Sequence, residues 1–261
     1  VGAVIFAPQE YIMRKLFVIL LSLTATLSTL AQETPATSPE LVTKKKKTYD
    51  LSKRASDHFM IQIGLNSWLG APDSISNKIS GLQRSGNVYL MLDRPFKGNQ
   101  RWSIAAGVGI GTTNIYFDKM NVDIGSTNKV LPFIKTDSIN NYKKYKVSTA
   151  FLEAPLELRF TKNPSTPNKT FKAALGAKFG TLLNARTKGK TLRNSAGTTI
   201  NNKTDKVLSK NYFNSTRLAA TARVGYGNFT LFGAYDLTGI FKDGVAANMK
   251  SLQIGLTISG L

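Results

Sequence analysis

The chain has 261 residues, with 35 lysines and arginines against 15 aspartates and glutamates, a formal net charge of +20, one histidine and no cysteine. The absence of cysteine excludes a disulfide scaffold, a thiolate metal centre and a lipid-modified N-terminal cysteine, and one histidine leaves little for an imidazole metal site. The charge by itself invites a nucleic-acid reading, since a basic balance is the usual footprint of phosphate binding.

Residues 1–12 precede Met13 and read as an upstream translation artefact. Met13 is followed by Arg14 and Lys15, an apolar run from Leu16 to Leu23, and Thr29-Leu30-Ala31. A charged start, a short apolar stretch and a small-residue cleavage site make 13–31 a secretory signal peptide. Export weakens the nucleic-acid reading. Residues 32–57 carry Thr34-Pro35, Ser38-Pro39 and the run Lys44 to Lys47. That composition cannot bury a core and predicts a basic, flexible periplasmic linker.

From His58 to Leu261 the hydrophobic period is two. Ile61, Ile63 and Leu65 oppose Gln62, Gly64 and Asn66. Val88, Leu90 and Leu92 oppose Asn87, Tyr89 and Asp93, and Ile104, Val108 and Ile110 oppose Ser103, Gly107, Gly109 and Gly111. The pattern recurs around Leu156, Leu175, Ala220, Leu231 and Leu256, giving eight segments. Strict alternation of this length means strands with one apolar and one polar face.

A soluble barrel hides the apolar face inside, whereas a transmembrane barrel turns it to lipid. The polar faces here mix small residues with long charged ones, which suits a narrow filled lumen, and the apolar faces carry Leu, Ile, Val, Ala and Phe. Connections alternate longer and shorter, as in outer-membrane barrels. The sequence therefore predicts an all-β, eight-stranded antiparallel up-and-down transmembrane β-barrel over 58–261, with both termini periplasmic. Trp102, Phe160, Phe171 and Phe229 are expected in a periplasmic aromatic girdle, and Trp68, Tyr116, Tyr145 and Phe241 in an outer one. A soluble lipocalin-like binder is the competing architecture.

The polar faces collect an interior charge network: Asp93, Glu153, Glu157, Arg159, Lys172, Lys178, Arg217, Arg223 and Asp236. Buried charges need partners, and four acids against five bases supply them. Glu153 and Glu157 lie about 13 Å apart along a strand, too far for a glycosidase pair. Gly107-Val108-Gly109-Ile110-Gly111 has no helix after it to cradle a phosphate, and His58 falls at the periplasmic start of the first strand, away from any hydrolase site at the outer leaflet. No catalytic residue, metal ligand or cofactor site is predicted. The stretch 186–210 carries Arg186, Lys188, Lys190, Arg193, Lys203, Lys206 and Lys210 against Asp205 alone. It reads as a solvated outer loop or an anion-binding surface.

The segment Phe151-Leu152-Glu153-Ala154-Pro155-Leu156-Glu157-Leu158-Arg159-Phe160 resembles the YLEIPL-type strand of the Bacteroidetes outer-membrane protein β-barrel domain, the PorT-like family. Gly233-Ala234-Tyr235-Asp236-Leu237 and Leu252-Gln253-Ile254-Gly255-Leu256 are similar to that family's last hairpin. The resemblance implies an outer-membrane barrel, for most members without an established activity. Pro155 cannot donate to a ladder and predicts a local bulge. Asp73-Ser74-Ile75 and Asp137-Ser138-Ile139 resemble the short O-glycosylation acceptor of Bacteroidetes, which would place sugars on Ser74 and Ser138. The expected function is a non-enzymatic barrel with a closed polar interior and cationic outer loops, in surface interaction or an envelope accessory role. The alternative is a narrow channel or a transport or export accessory. Expected partners are outer-membrane lipid, lipopolysaccharide and other envelope proteins, and not nucleic acid.

Overall fold

The computed structural model describes residues 59–136 and 140–259. The proposed signal peptide, the linker, His58 and Ser138 lie outside the described residues. The strands are β1 (Phe59–Leu69), β2 (Arg84–Pro95), β3 (Trp102–Phe117), β4 (Met120–Val122), β5 (Phe133–Lys135), β6 (Asn141–Thr161), β7 (Phe171–Arg193), β8 (Thr199–Leu208), β9 (Thr216–Tyr226), β10 (Phe229–Asp236) and β11 (Lys250–Ser259). Eight of them pair antiparallel in the order β1-β2-β3-β6-β7-β9-β10-β11, and β11 pairs back with β1. The result is a closed up-and-down barrel. The short strands β4 and β5 form a separate hairpin in the β3–β6 connection, and β8 extends β7 beyond the barrel wall. Among the described residues no helix is long and apolar enough to cross a membrane; the crossing elements are strands.

The apolar faces point outward. Ile63, Leu92, Val108, Leu156, Leu175, Leu231 and Leu256 are all exposed, Leu92 to 70% and Leu175 to 67%, while Gln253 and Thr257 on the opposite face of β11 are fully buried. Such an exterior is unfavourable in water and suited to hydrocarbon. From Trp102 to Ile110 on β3 the band rises roughly 20 Å for a strand tilted by about 40°. One end of the barrel carries tight connections. The β9–β10 turn has two residues, Gly227 and Asn228, with Gly227 at φ +59° as the first residue of such a turn requires. Trp102, Phe171, Tyr226 and Phe229 stand outward at this end, and Trp102 packs on Phe160 with ring centroids 5.1 Å apart.

At the long-loop end the faces exchange character. On β3 the outward residues pass from Val108 and Ile110 to Asn114 and Tyr116, and the inward ones from Gly109, Gly111 and Thr113 to buried Ile115 and Phe117. On β6 the outward residues pass from Leu156 and Leu152 to Lys146 and Lys144, and the inward ones from Glu157 and Glu153 to Val147 and Tyr145. On β7 the change coincides with a bulge. Ala150 pairs with Asn184 and Phe151 with Leu182, which leaves Leu183 as the extra residue. Beyond it Ala185 and Thr187 take the buried positions.

Two expectations are corrected. Trp68, Tyr145 and Phe241 do not belong to an outer girdle. They are buried inside the mouth, because above the lipid band the apolar face is the inner one. Pro155 does not produce a bulge. The β3–β6 pairs step from Ala106↔Leu156 to Gly109↔Glu153 with the register unchanged, so the missing donor leaves a gap in that ladder, while Pro155 stays paired with Lys178 of β7.

Candidate functional site

Eight strands enclose an interior just wide enough for side chains to fill, and here they fill it with charge. Glu153 is the centre of one cluster. Its Oε1 accepts from Arg217 Nη1 at 2.9 Å, its Oε2 lies 3.3 Å from Lys178 Nζ, and Tyr89 donates its hydroxyl to the same oxygen. Arg217 continues to Asp236, with Nε donating to Oδ1 at 2.9 Å, and its guanidinium lies 5.2 Å from the centre of the Phe151 ring. Glu157 is the centre of a second cluster nearer the short-turn end. Arg223 binds it through both Nε (3.1 Å) and Nη2 (2.6 Å), and Arg159 Nε donates to Oε2 at 2.9 Å. Arg159 also approaches Asp93 at 4.0 Å. Each glutamate thus has two cations, with Arg159, Arg217 and Arg223 held to them by hydrogen bonds, the condition under which burial of ion pairs is tolerated.

All nine residues assigned to the interior network point into the lumen. Lys172 is buried there too and lines, with Asp93, Arg159 and Arg223, a cavity of about 30 Å³ at the short-turn end. The two glutamates do not meet. Each is held by its own cations, which leaves no paired carboxylates facing a shared space. The other side of the lumen is neutral. Asn87 donates to Gln62 (3.1 Å) and Gln253 (3.3 Å), and Gln62 donates to Thr257 at 3.2 Å. Glycine on β3 makes the room. A Cβ on Gly109 would sit 2.5 Å from the Tyr89 ring, and one on Gly111 would sit 2.7 Å from the Glu153 carboxyl group.

Above the charges the long-loop mouth is stopped by an apolar core. Trp68 packs edge-on against Phe117 (5.8 Å) and Phe241 (5.6 Å), and Phe213 lies 5.1 Å from Phe241. The β4–β5 hairpin contributes Met120 and Val122, with Ile124 and Leu131 beside it. Tyr145 pins it, donating its hydroxyl to the Val122 carbonyl at 2.8 Å while the Val122 N–H donates back at 3.0 Å.

The stretch 186–210 is a paired β-hairpin, not an irregular loop. Arg186, Lys188, Lys190 and Arg193 lie on β7, Lys203 and Lys206 on β8, and Lys210 just beyond it. Tyr142 donates to Asp205 Oδ2 at 2.5 Å, and Lys203 lies 3.2 Å from the same oxygen. Both residues are beyond the lipid-facing stretch. Burial and this hydrogen bond push the Tyr142 phenol up to about 12, and the bond holds the Asp205 carboxyl below its ordinary range. Ser74 is exposed on a one-turn helix, Asp73–Ser76, whose Ile75 is buried.

Sequence reasoning left out three features of this interior and rim. It placed Tyr89 on the polar face without joining it to Glu153. It did not anticipate the apolar stopper, and it left Arg84 and Lys146 out of the cationic set. The stopper had a visible signal: Ile115, Phe117, Tyr145 and Val147 continue the period of two on the face that is polar further down.

Among the described residues no group of histidine, cysteine and carboxylate side chains has the geometry to hold a metal. The fold and its filled, ion-paired lumen define the class of small outer-membrane barrels. The sequence matches the outer membrane protein beta-barrel domain over residues 52–242. No curated protein matches it. The chain belongs to the outer membrane protein beta-barrel domain family and is a bacterial outer-membrane barrel protein.

Proposed function

We propose that this barrel is a closed, non-enzymatic envelope protein of the PorT-like Bacteroidetes type, acting through its rim and not through a pore. The observation that carries the reading is the double closure of the lumen: two ion-paired clusters in the lipid-spanning part and an apolar core in the mouth. Phe59 and Ser259 both lie at the short-turn end. Outer-membrane barrels keep short turns in the periplasm and longer loops outside, which supports periplasmic termini and an exterior long-loop end. The cations of the β7–β8 hairpin then face the exterior, where anionic glycans and the phosphates of lipopolysaccharide are the available partners, and exposed Ser74 is accessible for O-glycosylation. Planar-bilayer recording of the purified protein tests the closure. The expected result is no stable conductance; a large, steady current at ordinary salt would overturn it in favour of a channel.

A further inference from the structure

The cations at the rim do not form one diffuse surface. Strand register places them in outward-facing rows. Arg84 (β2) pairs with Asn114 (β3), Asn114 with Ser148 (β6), and Ser148 with Arg186 (β7). The next row up runs Tyr116, Lys146, Lys188, Lys206. Three strands, β2, β6 and β7, thus bring Arg84, Lys146 and the pair Arg186 and Lys188 together from distant parts of the sequence. Lys146 Nζ donates to Asn114 Oδ1 at 2.7 Å, Ser148 Oγ donates to the same oxygen at 2.8 Å, and Lys146 stands 5.6 Å from the centre of the Tyr116 ring. Burial, followed by the charges of Arg186, Lys188 and Arg84, lowers the affinity of Lys146 for its proton. The three other cations thus stand close enough to Lys146 to repel its charge. Among the described residues none of these four cations has an ion-pair partner. Asp205, the carboxylate of the hairpin, pairs in register with Gly189 in the alternate row and is engaged by Lys203 and Tyr142.

The height of the cluster is set by the same register. On β2, β3 and β6 the last apolar outward row is Val88–Ile110–Leu152, and the next is the small row Gly86–Thr112–Ala150, whereas on β1 the apolar face runs on to Leu65, which pairs with Arg84. Arg84 and Arg186 stand in the row after the small one, about 10 Å above the apolar edge on β2, β3 and β6 for a tilted strand. The headgroup layer outside the hydrocarbon is roughly 5–7 Å thick on each side, and long cationic side chains bend toward it along their apolar stems. Three or four unpaired cations at this depth face a layer whose strongest anions are lipid phosphates.

We propose that Arg84, Lys146, Arg186 and Lys188, with Asn114 and Ser148 as polar neighbours, form a docking site on the outer wall of the barrel for the phosphate of an outer-leaflet glycolipid of lipid A type. The proposal deepens the reading above and rests on it for the leaflet that supplies the lipid. The far hairpin cations Lys190, Arg193, Lys203 and Lys210 are not part of the site. The lipid annulus there becomes a bound ligand, and it anchors the base of the β7–β8 hairpin to the membrane surface.

Native mass spectrometry of the full barrel in zwitterionic detergent, titrated with diphosphorylated lipid A, tests this. Lipid A should bind at one to one, more weakly as salt is raised, and its dephosphorylated form should not bind. The variant Arg84→Ser/Lys146→Ser/Arg186→Ser/Lys188→Ser should lose affinity by at least about tenfold, the low end for four cations beside an anionic headgroup. The variant Lys190→Ser/Arg193→Ser/Lys203→Ser/Lys210→Ser removes the same charge and should bind as the parent does. The milder pair Arg84→Gln/Lys146→Gln covers the case in which the first variant does not regain heat-modifiable mobility, and should show a smaller loss in the same direction. Equal losses in both Ser variants, no loss in either, or equal binding of phosphatidylglycerol would overturn the site. Orientation is read separately, by labelling a Ser195→Cys variant in intact cells with an impermeant maleimide; absence of label would refute the outward reading while leaving the detergent binding result standing.

Discussion

On β3 and β6, below the row Thr112–Ala150, leucine and isoleucine point out of the barrel and glutamate and arginine point in; above it, lysine and Tyr116 point out and Ile115, Phe117, Tyr145 and Val147 point in. β3 and β6 run through the boundary without changing their period, and β7 resumes it after the bulge at Leu183. What changes is the solvent on the outer face. Lipid rewards apolar contact and leaves the lumen to polar groups that must satisfy one another. Water reverses the preference, and the same wall then encloses an ordinary hydrophobic core. The comparison teaches that alternation establishes a strand and its two faces, whereas the medium decides which face is the inside.

The largest test of this contrast is in the lower half. Glu153→Ala leaves Lys178 and Arg217 buried together with their shared carboxylate gone, and should cost about 3–5 kcal/mol, seen as a fall in the urea midpoint at which heat-modifiable mobility is lost. A pair of matched substitutions sharpens the boundary. Leu175 and Leu208 are exposed almost equally, at 67% and 64%. Leu175→Arg faces hydrocarbon and should destabilise by about 2–4 kcal/mol, whereas Leu208→Arg on the hairpin should change stability by less than about 0.5 kcal/mol. Equal effects would erase the distinction between the halves.

The smallest effect belongs to the hairpin. The Tyr142 phenol is raised to about 12 in the folded protein, by burial and then by Asp205. The unfolded phenol, near 10, ionises first, so the contribution of Tyr142 is complete below about pH 10 and is lost as pH rises toward 12. The protection of the β7–β8 amides, taken as their exchange rate relative to that of the unfolded chain at the same pH, should fall over that window, and Tyr142→Phe should remove the fall.

Much of this was legible because period-two patterning survives translation into three dimensions. The eight strands, the outward leucines and the lumen positions of Glu153, Glu157, Arg217 and Arg223 all follow from counting by two. What was illegible depended on where the counting is interrupted or reinterpreted. Leu183 is an ordinary leucine, and nothing local marks it as the residue that resets the phase of β7. Trp68 and Phe241 looked like interface aromatics because tryptophan and phenylalanine suit lipid headgroups and a buried core equally well. Arg84 and Lys146 were missed because their neighbours in the cluster come from other strands. The cationic run 186–210 was visible in composition, whereas the rows that sort it into near and far charges exist only once the register is known.

Trp68 has one more consequence. Every junction between neighbouring barrel strands is spanned by a stretch of connecting chain except that between β1 and β11, which are held by the backbone ladder and by side-chain hydrogen bonds from Gln62 to Thr257 and from Ser251 to Asn66. Trp68 sits near the loop end of that seam, opposite Ser251, and its indole touches Phe117 on one flank and Phe241, in the segment leading into β11, on the other. The stopper in the mouth is therefore also a clasp across the suture of the barrel. Released there, the cylinder would open along two unpaired strand edges, the kind of surface on which further strands pair.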